Sequence, residues 1–169
     1  MSDKINTQID GLQLRFAQDK DTAVILGFIR ELAEYEDLLD EVSATEDILK
    51  EALFTKKAAE VILAEFDGEP VGFALFFHNF STFLGKAGLY LEDLYVKPDM
   101  RGRGVGKVML SFLARLAMER KCGRLEWSVL DWNKPSIEFY KSMGAVPMED
   151  WTIYRITGRS LKELGERFQ

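Results

Sequence analysis

Hydrophobic residues recur along the chain at two spacings, and these spacings predict where strands and helices lie. Apolar residues at every second position, or in short continuous runs, predict strands over residues 11–17, 60–66, 71–78, 89–96, 124–130 and 151–157. Apolar residues at every third or fourth position predict helices that start after Asp19 or Asp21, after Thr45, at Val105, after Asn133 and at Ser160. The chain therefore mixes strands and helices along its whole length.

The connections between these elements predict how the strands pair. Residues 60–66 and 71–78 are joined by an Asp-Gly-Glu-Pro turn, which is typical of an antiparallel hairpin. The strand over residues 89–96 reaches the strand over residues 124–130 through a long helix, and such a crossover joins parallel strands. We therefore expect an α/β fold with a mixed sheet, as a single domain over residues 1–169.

A glycine-rich loop, Arg-Gly-Arg-Gly-Val-Gly-Lys at residues 101–107, separates a predicted strand from a predicted helix. Its glycines leave backbone N–H groups uncovered and the helix N-terminus adds partial positive charge, so the loop suits a phosphate or pyrophosphate. The dinucleotide fingerprint and the Walker loop do not fit, because Lys107 and Val108 stand where those motifs need Gly and Ser or Thr. The alternative is a glycine-rich turn without a ligand.

The spacing Arg-x-x-Gly-x-Gly at Arg101, Gly104 and Gly106 follows a strand that carries Glu92 and Asp93. In this combination the chain resembles the GNAT superfamily of acetyl-CoA-dependent N-acetyltransferases. The resemblance implies that the loop grips the pyrophosphate of coenzyme A. It also implies a mixed six- to seven-stranded sheet flanked by helices, in which the strands over residues 89–96 and 124–130 splay apart around the pantetheine arm.

Composition and charge narrow the class of protein. The chain has 169 residues, of which 47% are hydrophobic and 30% charged, as in an ordinary globular protein. Its apolar runs are too short to cross a bilayer, so we expect no membrane partner and a cytoplasmic location. The single cysteine, Cys122, excludes an internal disulfide and is best explained by packing. A net charge of −6 works against nucleic acid as a partner and favours a cationic one.

Acyl transfer to an amine needs a base, because an alkyl ammonium has a pKa near ~10.4 and is not nucleophilic until it loses a proton. Glu92 is the candidate, since it interrupts an otherwise apolar strand where a charge has no structural use. The alternative is that this face of the strand is simply solvated. The adjacent Asp93 and the glycine-rich loop that follows favour the functional interpretation.

The departing thiolate needs a proton, and a tyrosine with a pKa near ~10 can donate one to a thiol with a pKa near ~8.5 at little free-energy cost. Tyr140 is the candidate, on the helix that follows the strand over residues 124–130 and on the same helix face as Ser136. The alternative is that Phe139 and Tyr140 only pack in the core of a short helix.

Further motifs narrow the resemblance. Leu-Ala-x-Tyr-Glu at residues 32–36, Tyr-Leu-Glu-Asp at residues 90–93, and Trp-Asn-x-Pro-Ser followed by Phe-Tyr-Lys at residues 132–141 resemble the spermidine/spermine N-acetyltransferase family. The match covers about residues 12–156. Ser81-Thr82 and the segment Leu-Asp-Trp-Asn at residues 130–133 are more similar to the thialysine N-acetyltransferase branch. A polyamine-type member would carry an acid near Thr82.

This resemblance implies a role for each site residue. Glu92 acts as base through water and Tyr140 as acid to the sulfur. Acetyl-CoA is held by Leu94, Tyr95, Val96, Arg101, Gly102, Arg103, Gly104, Val105, Gly106, Lys107, Asn133, Lys134, Pro135 and Ser136. The amine site is lined by Tyr35, Glu36, Glu92, Asp93, Glu126, Trp127 and Ser128. The family also implies a homodimer that shares C-terminal strands.

The sequence therefore predicts an acetyl-CoA-dependent N-acetyltransferase that acts on the primary amine of a small cationic metabolite, with a thialysine- or lysine-like amine ahead of a polyamine. Two other interpretations stay open, a protein lysine or N-terminal acetyltransferase and a non-catalytic coenzyme A-binding regulatory module. No metal site is expected, because His78 is the only histidine and stands at a strand end. Trp132 and Trp151 are interpreted as packing residues.

Overall fold

The computed structural model describes residues 3–168, which form two compact units. One unit ends at Ser128 and the other begins at Val129. Within the described residues, no helix is both long enough and apolar enough to cross a membrane.

The first unit is built on a six-stranded sheet in which the strands follow their order along the chain. The strands are β1 (Ile5–Asn6), β2 (Leu12–Phe16), β3 (Glu60–Phe66), β4 (Glu69–Ser81), β5 (Lys86–Val96) and β6 (Leu125–Trp127). Neighbours from β1 to β5 pair antiparallel, whereas β5 and β6 pair parallel. The mixed sheet predicted from the hairpin and the helical crossover is confirmed.

Helices flank this sheet where the apolar stripes predicted them. They are α1 (Thr22–Tyr35), α2 (Glu46–Lys50), which continues into a π-helical turn (Glu51–Thr55), and α3 (Val105–Glu119). Thr45 caps α2 as predicted, since its side chain accepts a hydrogen bond from the Ile48 backbone N–H. The core beneath α1 contains Phe28 stacked on Phe73 of β4, with ring centroids 5.7 Å apart, and Tyr95 of β5 beside them. The C-terminal end of β5 is therefore anchored against α1.

Two hairpin strands are longer than predicted. The sequence predicts a loop with two exposed aromatic residues over residues 79–86, but β4 runs to Ser81 and β5 starts at Lys86, so only the tip is a turn. The apolar pattern breaks at the polar residues His78 and Asn79, so the predicted strand ends too early. In the structure the two strands still pair through this region and satisfy each other's backbone hydrogen bonds. The two aromatic residues of the segment, Phe80 and Phe83, are exposed as expected.

The second unit contains two helices, α4 (Lys134–Ser142) and α5 (Gly158–Glu166). Asn133 caps α4 and Gly144, with φ of 89°, follows its end, as the sequence predicted. The strand predicted over residues 151–157 is wrong, because this segment forms no strand within the described chain. Apolar residues alone do not make a strand, because a strand also has to pair with a neighbour, and no strand of the described residues pairs with this segment.

Candidate active site

The parallel strands β5 and β6 stay paired over only three residues. Leu89 pairs with Leu125, Tyr90 with Glu126, and Leu91 with Trp127, where the ladder stops. The strand predicted over residues 124–130 is thus shorter, at Leu125–Trp127. β5 continues to Val96, and among the described residues no strand pairs with residues 92–96 on the β6 side. This open edge of β5 is the splay that the family resemblance implied.

Glu92 is a β-bulge at the start of the open edge. On the other side of β5, Phe76 of β4 pairs with Leu91 and Leu75 pairs with Asp93, so Glu92 has no partner in the β4 ladder. The extra residue shifts the alternation of the strand, which brings Asp93 to the same face as Tyr95 while Leu91 stays buried on the opposite face. The side chain of Glu92 is exposed. A bulge thus presents two consecutive carboxylates at the point where the parallel strands part.

These two carboxylates interact with a third, that of Glu36 at the end of α1. Burial, together with the charges of Glu92 and Glu36, raises the pKa of Asp93 to about 6. Burial also raises the pKa of Glu36, which follows the last residue of α1. We call Glu36, Glu92 and Asp93 the acidic cluster. Because like charges and burial both penalise its ionised form, the cluster favours a cation that would neutralise it.

Of the other predicted amine-site residues, Ser128 and Glu126 both lie at β6 and both have partners. The hydroxyl groups of Ser128 and Tyr90 lie 2.8 Å apart, in hydrogen-bonding distance. Glu126 accepts a hydrogen bond from Asn79 and pairs with Arg124 at 2.8 Å, so its charge is already balanced. Sequence spacing does not predict the Asn79 contact, because it joins residues 47 positions apart.

The loop over residues 101–107, here called the glycine loop, leads into α3. Gly102 and Gly104 adopt φ of 76° and 84°, a left-handed conformation that L side chains rarely accept. A Cβ at Gly102 would meet nothing within 4 Å, so the space beside this backbone is open. Gly104 is the N-cap of α3, whose first N–H groups have no helical acceptor. Arg103 and Lys107 are exposed and add positive charge. The loop therefore combines open backbone N–H groups with positive charge, the features that an anion-binding loop needs.

Arg101 does not extend into that open space. Its Nε donates a hydrogen bond to the Val96 carbonyl at 3.0 Å. Its guanidinium lies 4.8 Å from the centre of the Tyr35 ring and 5.5 Å from that of Tyr95. Burial and the charge of Glu31 raise the pKa of Tyr95. No sequence pattern predicts this contact, because it joins residues assigned to different subsites, Arg101 to acetyl-CoA and Tyr35 to the amine.

The second unit holds the remaining predicted residues. Asn133 is buried, and its side chain accepts a hydrogen bond from the Ser136 backbone at 3.4 Å, which fixes the start of α4 at Lys134 and Pro135. Tyr140 lies one helical turn after Ser136 and its ring is 5.4 Å from that of Phe139. The bonds that close α4 include one from the Ala145 N–H to the Tyr140 carbonyl. The helix face that sequence spacing assigned to Ser136 and Tyr140 is thus formed.

Comparisons with known proteins agree with this architecture. A model of the Acetyltransferase (GNAT) family matches residues 21–145, which include the acidic cluster and the glycine loop. Thialysine N-epsilon-acetyltransferase of Bos taurus is 38% identical over 167 residues, or 90% of this chain and 96% of that protein. L-ornithine N5-acetyltransferase of Arabidopsis thaliana is 38% identical over 119 residues, or 70% of this chain and 49% of that protein. The solved structure of an integron cassette protein from V. cholerae is similar with a TM-score of 0.78 and 26% identity, covering 92% of this chain and 98% of that one.

Proposed function

Because this chain belongs to the GNAT acetyltransferase family and is an N-acetyltransferase, we propose that it acetylates the primary amine of a small cationic metabolite. Among candidate substrates, we rank thialysine or another lysine-like amine above a polyamine. Similar proteins carry the names of thialysine and L-ornithine acetyltransferases, which supports an amine attached to a short amino-acid side chain. The proposal takes residues 1–169 as one catalytic domain in the cytoplasm.

The acidic cluster is the observation that carries this proposal. A primary ammonium, with a pKa near ~10.4, arrives charged at neutral pH. Burial first, and then the charges of Glu92 and Glu36, raise the pKa of Asp93, so the ionised cluster is unfavourable until a cation neutralises it. A small cation therefore gains more at this place than a neutral molecule does.

Glu92 is proposed as the general base. It is exposed on the bulge, where a water molecule can reach it and relay the proton from the ammonium. Asp93 is more buried and is proposed to hold the cation. Tyr140 is proposed as the acid that protonates the departing sulfur, a role that its hydroxyl can fill at neutral pH.

Acetyl-CoA is proposed as the acyl donor, and the residues present fit it. Gly102 to Lys107 would hold the pyrophosphate through backbone N–H groups and the N-terminus of α3. The open edge of β5 at Leu94, Tyr95 and Val96 offers backbone groups for an extended pantetheine arm. Asn133, Lys134, Pro135 and Ser136, which lie in the second unit, are also proposed to bind acetyl-CoA. The bound thioester would supply the activated acetyl group.

A homodimer is proposed as well. Trp151, Ile153 and Tyr154 are 73%, 75% and 94% exposed, although a segment this rich in aromatic and β-branched residues is typical of a strand. A second copy of the chain is proposed to pair with this segment. Light scattering should give about twice 19.3 kDa for the wild type and the monomer mass for Ile153→Lys. A monomeric wild type would reject the dimer.

The test of function is acetyl-CoA-dependent thiol release with thialysine, lysine, L-ornithine, spermidine, spermine and a lysine peptide. Turnover of a small amine supports the proposal and identifies the branch, whereas turnover of the peptide alone would indicate a protein acetyltransferase. Tyr140→Phe should lose turnover and keep acetyl-CoA binding, measured by calorimetry. If the coenzyme binds and no amine reacts, the proposed substrate class is wrong.

A further inference from the structure

Arg101 links two tyrosines that differ in how firmly they are held. Tyr95 is buried and lies 6.0 Å from Phe28, within the core beneath α1. Tyr35 is 40% exposed and is the last residue of α1. The Arg101 guanidinium lies within cation–π distance of both rings, at 5.5 Å and 4.8 Å. Arg101 can therefore hold the exposed ring of Tyr35 in place against the buried ring of Tyr95.

The chain geometry around Tyr35 makes such support useful. After Tyr35 the helix ends, and Asp37 adopts a left-handed conformation with φ of 59°. Glu36, a member of the acidic cluster, lies between them. A ring that moves at Tyr35 would also move the backbone that carries the Glu36 carboxylate. The contact with Arg101 thus affects the positions of both Tyr35 and Glu36, the two predicted amine-site residues at the end of α1.

A second possible role for Arg101 is direct contact with the pyrophosphate, and the geometry argues against it. The Nε is occupied by the Val96 carbonyl at 3.0 Å, and the planar group lies over Tyr35. Reaching the space beside Gly102 would break both interactions. Arg103, in the same loop, makes weaker contacts, with its guanidinium 5.9 Å from the Phe66 ring and 3.7 Å from the Met100 sulfur. Arg103 is therefore the better placed of the two to turn toward a phosphate.

We propose that Arg101 is a positioning residue for the amine site, which acts by stacking on Tyr35 and holding the end of α1 next to the acidic cluster. This role rests on the proposed amine acetylation. It makes the first residue of the glycine loop part of the amine site, so that one side chain joins the two substrate subsites. Its loss should therefore weaken binding of the amine more than binding of the coenzyme.

The test compares Arg101→Gln, Arg101→Lys, Tyr35→Leu and the double variant Arg101→Gln/Tyr35→Leu. Arg101→Gln should raise the KM for the amine about fivefold and change the KM for acetyl-CoA less than about twofold. Arg101→Lys should rescue little, because an ammonium keeps the charge and lacks the planar group that stacks between the rings. Adding Arg101→Gln to Tyr35→Leu should raise the amine KM no further, because the ring on which Arg101 acts is already absent in Tyr35→Leu. Arg103→Gln is the matched control and should raise the KM for acetyl-CoA instead.

Each outcome separates this proposal from the proposed function. An active wild type in which Arg101→Gln raises mainly the KM for acetyl-CoA, or in which Arg101→Lys restores full activity, would overturn the positioning role and leave amine acetylation standing. Multiplicative effects in the double variant would overturn it as well. A wild type that turns over no amine would reject the proposed function, and the positioning role with it.

Discussion

Leu91 and Trp127 form the last residue pair of the parallel ladder between β5 and β6. The next residue of β5, Glu92, is the bulge residue and so has no pairing partner in β4 either. Two local features therefore coincide, the end of one ladder and an irregularity in the other. Together they place an exposed carboxylate at the start of an open strand edge, which is where a base is needed if an acyl donor binds along that edge.

Replacing Glu92 with Gln should lower kcat by at least about 100-fold, because a positioned general base typically contributes a factor of 10² to 10⁴. Acetyl-CoA affinity should stay within about twofold, since the glycine loop is untouched. Thiol release gives kcat, and calorimetry gives the affinity. Glu69→Gln is the matched control, an exposed Glu at the start of β4. Equal kcat for Glu92→Gln and Glu69→Gln would remove Glu92 from the mechanism.

The sequence predicted the elements that depend on local pattern. The stripe of α1, the caps at Thr45 and Asn133 and the parallel β5–β6 pair all follow from spacing and connection, and all are present. The bulge at Glu92 was not predicted, because it depends on the register between β4 and β5. Sequence spacing predicts that Glu36 lies at the end of a helix. Its interaction with Asp93 depends on tertiary packing, which spacing does not predict. The failed strand over residues 151–157 shows the same limit, since a pattern specifies a face and not a partner.

Asp93 should make stability depend on pH in the direction opposite to an ordinary paired carboxylate. Its pKa is about 6 in the folded protein and near 3.8 when exposed, so the fold disfavours the charged form. The resulting destabilisation is full above pH 6 and disappears only as the pH falls below 3.8, where the group is protonated in both states. Asp93→Asn should therefore raise the free energy of unfolding at pH 8 by on the order of 1–3 kcal/mol, with little difference near pH ~3, below the pKa of the exposed carboxyl.

Urea unfolding at both pH values measures this effect. The exposed Asp99, in the short turn after β5, provides the control variant Asp99→Asn, which should change stability little at either pH. The Asp93→Asn variant should also lose affinity for a cationic amine at pH 8. A variant less stable than wild type at pH 8 would show that the Asp93 carboxylate is favourably held and that the cluster is not strained.

The partly buried Arg15 should matter far more to stability than surface arginines do. It donates two hydrogen bonds to Asp21, at 2.7 Å and 2.9 Å, and pairs with Glu65 at 3.1 Å. All three side chains are nearly inaccessible, at 12%, 9% and 8% exposure. Arg15→Met would leave two buried carboxylates without their main partner and should lower the free energy of unfolding by about 3 kcal/mol. Chemical denaturation at pH 7 measures the change.

A matched surface arginine and the pH profile make this prediction specific. Arg115 forms an exposed pair with Glu119 on α3, so Arg115→Met should change stability by less than about 0.5 kcal/mol. Arg15 lowers the pKa of Asp21, so their interaction stabilises the fold above the ordinary carboxylate range and is lost as the pH falls through the lowered value. The gap between wild type and Arg15→Met should therefore narrow in acid. A gap that stays constant down to low pH would assign the effect to packing alone.

Gly104 should be required both for the backbone and for the coenzyme. Its φ of 84° lies where an L side chain is strained, while an added Cβ would meet only the Ile9 side chain at an ordinary 3.6 Å. Gly104→Ala should therefore lower stability by about 1 kcal/mol through the backbone, and the shifted N–H groups of the loop should raise the KM for acetyl-CoA about tenfold. Gly27→Ala, within α1 and with open space around its Cβ, should instead raise stability by about 0.5–1 kcal/mol without changing that KM. If Gly104→Ala loses stability but keeps the wild-type KM for acetyl-CoA, the glycine loop shapes the turn into α3 and does not bind the pyrophosphate.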